Sequence, residues 1–191
     1  MRQIHDTNLV FVHIPKTAGM AVVNAFGMDH QTSDHSIGTE SDQPLMSDEF
    51  IRFTVLRNPI SRFVSAYKYS LSMLHMFRGN TVREDIVHHG LGNDINEFLG
   101  FYSNNLERLV SNIHFVPQWY YYTKTKPNIM LRQETLTTDM NIVARLVPQH
   151  FVGLTEKNKS PSSSHVNTEL SDQSLATVRQ VYRNDFFLWN R

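Results

Sequence analysis

Residues Leu9 to Ile14 read LVFVHI, a near-continuous apolar run that stops at a proline. A strand with one wet face alternates apolar and polar residues, whereas an unbroken run suits a strand covered on both faces, as in a parallel sheet between helices. Pro15 closes the run because proline has no N–H to give to a ladder. The period then changes: Thr17 to Phe26 is a predicted helix, with Ala18, Val22, Ala25 and Phe26 available for packing. The same succession recurs at Phe53 to Leu56, a second short strand. There Arg57-Asn58-Pro59 leads into a predicted helix that starts near Pro59 and runs to about Met76. Phe63, Ala66, Tyr67, Leu71 and Leu74 fall at helical spacing within it, and Phe63 and Tyr67 read as core.

The rest of the chain keeps this alternation. Gly27 to Glu49 is polar and reads mostly as loop. Ile95 to Phe101 is a predicted helix within the least legible stretch, His75 to Asn104. Pro117 to Tyr122 is a short aromatic helix, Asn128 to Leu131 a third strand, Asp139 to Leu146 a helix, and Phe151-Val152-Gly153 a final strand. Asn158 to Ser164 is a Ser/Pro/Lys loop. Ser171 caps a last helix carrying Leu175, Val178 and Val181. Strands alternating with helices imply an α/β fold with a mostly parallel central sheet flanked by helices. The length of 191 residues fits a single domain over 1–191.

Composition narrows the function classes. Lysine plus arginine is 18 and aspartate plus glutamate is 18, so no global field favours nucleic acid or an anionic membrane, and any anion site is local. The absence of cysteine excludes disulfides and zinc–thiolate sites. The run at Leu9 to Ile14 is too short for a signal peptide, and no stretch approaches the roughly 20 apolar residues of a membrane span. A cytoplasmic protein is the expectation.

Two segments carry phosphate chemistry. Phe11-Val12-His13-Ile14-Pro15-Lys16-Thr17-Ala18-Gly19 reads as strand, tight turn and helix start. The first N–H groups of a helix lack internal partners and the dipole adds positive potential there, so a phosphate at that end meets several donors. Lys16 adds an ammonium, Thr17 a hydroxyl, and Gly19 permits close approach. The second segment, Arg52 to Tyr67, repeats the plan. Arg57 at its strand end offers a planar fork for phosphate oxygens, and Ser65 offers a hydroxyl. Arg62 and Ser65, three apart, share a helix face. A magnesium-dependent nucleotide kinase or NTPase would need G-x-x-x-x-G-K-[ST]. Val10 and Pro15 occupy the two glycine positions, and no apolar run ends in an aspartate.

Together, HIPKTAG and RNPISRFVSAY resemble the sulfotransferases that use 3′-phosphoadenosine 5′-phosphosulfate (PAPS), in particular the carbohydrate sulfotransferase-like branch. His114-Phe115-Val116-Pro117-Gln118 resembles that family's H-x-x-P-Q segment. Leu131-Arg132-Gln133-Glu134 with Leu136 and Asp139 resembles its R-x-E-x-L-x-x-D stretch, and Phe151 to Glu156 and Tyr182-x-x-Asp185 are family-like too. The resemblance implies a P-loop-like sulfotransferase fold and sulfonate transfer to an acceptor hydroxyl, with adenosine 3′,5′-bisphosphate as the other product. It implies no metal. By it, the stretch Pro15, Lys16, Thr17, Ala18 and Gly19 holds the 5′-phosphosulfate, with Lys16 at the bridging oxygen, and Arg57 with Ser65 holds the 3′-phosphate. A carbohydrate acceptor is favoured. A non-catalytic module that binds the nucleotide is the third reading.

The acceptor hydroxyl must lose a proton, and histidine suits the role with an unperturbed pKa of about 6.5. Among ten histidines, His35 lies between the two phosphate segments, where the family places its base, and Asp34 stands beside it. His30 and His13 are the alternatives, although His13 on its strand reads as a buried histidine. The adjacent His88-His89 pair lacks the spacing of a helix-face metal site. The aromatic run Trp119 to Tyr122 offers rings for stacking on an acceptor sugar or for packing.

Overall fold

A computed structural model describes residues 1–29, 39–76, 78–154 and 165–191. They fall into two compact units. One holds Met1–Asn58 and the segment that begins at Gln118, and the other holds Pro59–Pro117 and the C-terminal segment that ends at Arg191. The chain therefore leaves the first unit just after Asn58 and re-enters it at Gln118.

The first unit is built on β1 (Arg2–Gln3), β2 (Leu9–Val12), β3 (Ile51–Leu56) and β4 (Ile129–Arg132), in that spatial order. β1 runs antiparallel to β2, and β2–β3 and β3–β4 are parallel. The two-residue β1 was not expected from sequence. The helix α1 (Gly19–Ala25) follows β2. It starts two residues later than the sequence indicated, because Lys16 and Ala18 both take left-handed backbone angles, φ 69° and 68°.

Residues Leu9, Phe11, Phe53, Val55, Ile129 and Leu131 lie on one face of the sheet and pack with Val22, Val23, Ala25 and Phe26. Helical residues further along the chain join the same core. The ring pairs Phe11–Phe53 at 5.1 Å and Phe26–Phe53 at 6.1 Å hold its centre. Each such buried ring is worth about 1.5–3 kcal/mol of burial. Successive strand residues point to opposite faces, so Val10, Val12, Arg52 and Thr54 line the other one. There Thr54 Oγ1 donates to Val12 O at 2.9 Å. The Arg52 guanidinium, almost fully buried, donates to the carbonyls of Thr125 (2.9 Å), Ser47 (2.9 Å) and Leu45 (3.3 Å). Both faces of β2 and β3 are thus covered, which accounts for the unbroken apolar run of β2, while β4 leaves Met130 exposed.

The second unit is helical. It comprises α2 (Pro59–Ser72), α3 (Thr81–His89), α4 (Ile95–Tyr102) and α5 (Leu106–Val110). After α6 (Gln118–Thr125) and α7 (Leu136–Ala144) of the first unit, it resumes with α8 (Asp172–Val181) and α9 (Arg183–Trp189). Leu136, Met140 and Val143 of α7 complete the first core. The expected final strand at Phe151–Gly153 is absent: this stretch is irregular, and Val152 N–H donates to Ala25 O at the end of α1 (2.8 Å) instead of to a strand.

The helical core gathers Phe63, Tyr67, Phe98, Tyr102, Phe115 and Tyr182. Its phenols are tied to fixed acceptors: Tyr67 to Leu91 O (3.0 Å), Tyr182 to Phe115 O (2.8 Å) and Tyr102 to Asp85 Oδ2 (2.6 Å). Burial pushes all three phenol pKa values well above the usual range. Asp85 also receives both Nε and Nη2 of Arg108, at 2.9 and 2.8 Å, and that pairing holds its carboxyl below the usual range. Ser171 caps α8 as expected, accepting from Ser174 N–H at 3.2 Å. Among the described residues no helix is long and apolar enough to cross a membrane.

Candidate functional site

In the first unit, the carboxyl ends of β2, β3 and β4 lie side by side because the three strands are parallel and in register. In open α/β sheets ligands bind at that edge. Each end delivers a cationic residue: Lys16 beyond β2, Arg57 beyond β3, and Arg132 as the last residue of β4.

The β2–α1 loop owes its shape to three local features. Pro15 is buried and blocks any extension of the strand. Thr17, fully buried, donates its hydroxyl proton to Ile14 O at 2.9 Å and so closes the turn on itself. What Thr17 has left for an anion is therefore its backbone N–H rather than its hydroxyl proton. The third feature is the pair of left-handed residues. A non-glycine residue with positive φ costs about 1–3 kcal/mol, and such residues gather at functional sites. Successive N–H groups around a left-handed position form a concavity for anions. With only seven residues in α1, this loop is a more substantial source of donors than the helix dipole.

Gly19 serves a purpose the sequence reading missed. A Cβ there would lie 1.8 Å from Nε2 and 2.0 Å from Cδ2 of His13. The imidazole fills the space a side chain would take, only 5% exposed and stacked on Phe11 at 5.4 Å. His13 is thus the buried histidine its strand position implied, and it props the start of α1.

The second corner abuts the first. Arg57 Nη1 donates to Lys16 O at 3.2 Å, which sets a planar cation against the turn that carries the ammonium. The backbone of Arg57 is itself held by one side chain: Gln118 Oε1 accepts from Arg57 N–H, and Gln118 Nε2 donates to Arg57 O, both at 2.9 Å. Asn58 N–H donates to Glu134 Oε1 at 2.7 Å. Asp139 Oδ2 accepts from Arg132 N–H (2.9 Å) and from Thr135 Oγ1 (2.8 Å), fixing the end of β4. Gln118, Glu134 and Asp139 stand in the segments whose likeness was visible in sequence. Their role was not, since the pairs Gln118–Arg57 and Glu134–Asn58 are 61 and 76 residues apart.

Ser65 lies half-buried on α2, in the second unit. Arg62, on the same helix, is only 2% exposed and donates through Nη2 to Val116 O (2.8 Å) and His114 O (3.3 Å), so it braces the backbone of the second unit instead of standing ready for an anion. The histidines named for the base, His35 and His30, and Asp34 beside them, lie outside the described residues. In the aromatic run, Tyr121 is buried, while the Trp119 and Tyr122 rings pair at 5.3 Å. Among the described residues no group of three or more His, Asp or Glu side chains is placed to hold a metal ion.

Such a corner can hold a polyanion and oppose charge that develops beside Lys16. A family model described as the sulfotransferase family matches residues 2–190, nearly the whole chain. Neither the curated proteins nor the solved structures include a match to it.

Proposed function

Because the chain belongs to the sulfotransferase family, whose work is sulfonate transfer, we propose that it uses PAPS as donor and a carbohydrate hydroxyl as acceptor. The carbohydrate acceptor rests on the family resemblance, while the observation that carries the donor part of this reading is the 3.2 Å hydrogen bond from Arg57 Nη1 to the Lys16 carbonyl. It makes one continuous cationic edge of two loops that each suit a phosphate group. The donor set fits such a nucleotide: backbone N–H groups of a left-handed loop for one phosphate, and a guanidinium for another.

In this reading Pro15 to Gly19 shape the cradle for the 5′-phosphosulfate and Arg57 binds the 3′-phosphate, a phosphate to which the family resemblance also assigns the Ser65 hydroxyl. PAPS supplies, when bound, a sulfonate on a good leaving group. Lys16 sets an ammonium where negative charge accumulates as the sulfur–oxygen bond breaks. The loop N–H groups oppose the same charge without reorganising, the condition under which electrostatic stabilisation is largest. His35 takes the proton of the acceptor hydroxyl, a contribution of about 10² to 10⁴-fold for a positioned base. Glu134 and Gln118 keep the Arg57-Asn58 backbone where the Arg57 side chain can act.

Calorimetry with adenosine 3′,5′-bisphosphate and with ATP tests the donor. The bisphosphate should bind without magnesium, and Arg57→Ala should weaken it by about 10- to 100-fold, the worth of a charged hydrogen bond. Binding of ATP but not of the bisphosphate refutes the reading. Transfer assays over glycans and phenols then define the acceptor. His35→Ala should lower turnover with little change in donor affinity, and near-normal turnover removes His35 from the role.

A further inference from the structure

The second unit contains a cavity of about 400 Å³ lined by His75, Met76, Arg78, Gly79, Asn80 and Arg83. None of the lining residues is acidic. Glu84 stands beside it, but its Oε1 accepts the Gly79 N–H at 2.9 Å. The rim is a helix start: Asn80 caps α3, its Oδ1 accepting from Arg83 N–H (3.1 Å) and from Asn112 Nδ2 (3.0 Å). The amide is thereby locked, and the first turn of this nine-residue helix contributes to the lining.

Arg83 is the decisive residue. Its side chain is more than nine-tenths buried. Nη1 donates to Met76 O at 3.2 Å, and the guanidinium stands 5.6 Å from the centre of the Tyr69 ring. Its Nε is buried and has no hydrogen-bond partner among the described residues. Nε and Nη2 share one edge of the guanidinium plane, and that edge matches two oxygens of a carboxylate or sulfate. A buried N–H of a charged group left without a partner is costly. A helix N-terminus and a second arginine, Arg78, add positive potential around the same space.

From these features we infer that the Arg83 cavity is an oxyanion-binding site, taking a sulfate or carboxylate group. The ion is held edge-on by Arg83, with Arg78 closing over it from the exposed side. This site stands on residues of the second unit alone and is independent of the donor reading.

The test is a titration of the full chain with sodium sulfate, followed by the arginine Nε–Hε signals in ¹H–¹⁵N NMR. Saturating adenosine 3′,5′-bisphosphate, or a Lys16→Met/Arg57→Met background, silences the Lys16 corner. The Arg83 signal is identified by its loss in Arg83→Lys. It should move saturably with sulfate and not with chloride at equal ionic strength, and Arg78→Gln should weaken the sulfate Kd about tenfold. A sulfated disaccharide in a parallel arm distinguishes a free ion from a sugar-borne group: tighter binding than inorganic sulfate assigns the latter, equal binding the former. An unmoved Arg83 signal overturns the inference. If Arg83→Lys does not fold, the exposed Arg78→Gln variant decides alone, and an unchanged sulfate Kd in it has the same force.

Discussion

Replacing Gly19 by alanine adds a single methyl group at a crowded point of the Lys16 corner. The new Cβ would sit 1.8, 2.0 and 2.7 Å from three atoms of the His13 ring. Carbon atoms in contact are ordinarily about 3.5–4.0 Å apart, so ring and helix start must separate by well over an ångström. The ring has nowhere cheap to go. It stacks on Phe11, which in turn packs against Phe53 in the middle of the core. Overpacking of a filled core costs about 1–3 kcal/mol, and this clash belongs at or above the top of that range. Against a total stability of about 5–15 kcal/mol, that is a visible loss. Equilibrium denaturation followed by circular dichroism should place Gly19→Ala about 3 kcal/mol below wild type. His13→Ala should be destabilised separately through its cavity. In the double variant the clash is gone, so it should be more stable than the sum of the two effects by about 1–3 kcal/mol. A Gly19→Ala protein within about 0.5 kcal/mol of wild type, the range of inconsequential substitutions, or a strictly additive double variant, would refute the reasoning.

Three further outcomes are expected. Ala18→Gly should be neutral or stabilising by up to about 1 kcal/mol, because relief of the left-handed backbone offsets the added unfolded-state entropy. An ordinary Ala→Gly loss of about 1 kcal/mol in thermal denaturation would contradict it. Gln118→Ala should cost about 1–3 kcal/mol for two hydrogen bonds and weaken bisphosphate binding through Arg57. Gln118→Glu, which can accept from Arg57 N–H but cannot donate to its carbonyl, should do no better at neutral pH, and a fully stable Glu variant in urea denaturation removes the clamp from the account. Asp85→Asn should destabilise the protein at neutral pH. The Asp85 carboxyl is held below its unfolded value, chiefly by Arg108. Its stabilisation is therefore complete above that unfolded value, about pH 3.9, and is lost as pH falls through the folded one. The gap between variant and wild type should close in that acid range, and a constant gap in pH-dependent denaturation would exclude an ionic contribution.

β2 was legible because burial on both faces wrote itself as an unbroken apolar run, whereas β3 and β4 were legible from short apolar stretches, with Arg52 and Thr54 interrupting β3 and Met130 of β4 exposed. β1 was not, since two residues hold no period. Phe151-Val152-Gly153 misled for the opposite reason. It has strand composition, but its one backbone donor with a long-range partner goes to the carbonyl at the end of α1. Lys16 and Arg57 were visible as cations at strand ends. What held them was not, because Gln118 and Glu134 act across long sequence separations and no local pattern encodes such a pairing. Arg62 misled because helix spacing places two residues on one face without saying whether that face meets solvent or carbonyl groups. Nor did Asn58 or Gln118 carry any linker signal, as the crossings between units occur inside a strand-to-helix corner and at a helix start.

Arg57 and Gln118 lie at the seam where the chain departs from the sheet unit and returns to it, and the two hydrogen bonds between them stitch that seam shut. For a flexible stretch, the entropy of joining the ends grows only as the logarithm of what lies between, about 0.6 kcal/mol for each doubling. The exposed loops between the intervening helices can therefore be lengthened at small thermodynamic cost, provided the stitch survives and the core of Phe63, Phe98, Phe115 and Tyr182 is kept. A single glutamine thus lets those loops diversify while the anion-binding edge stays the same.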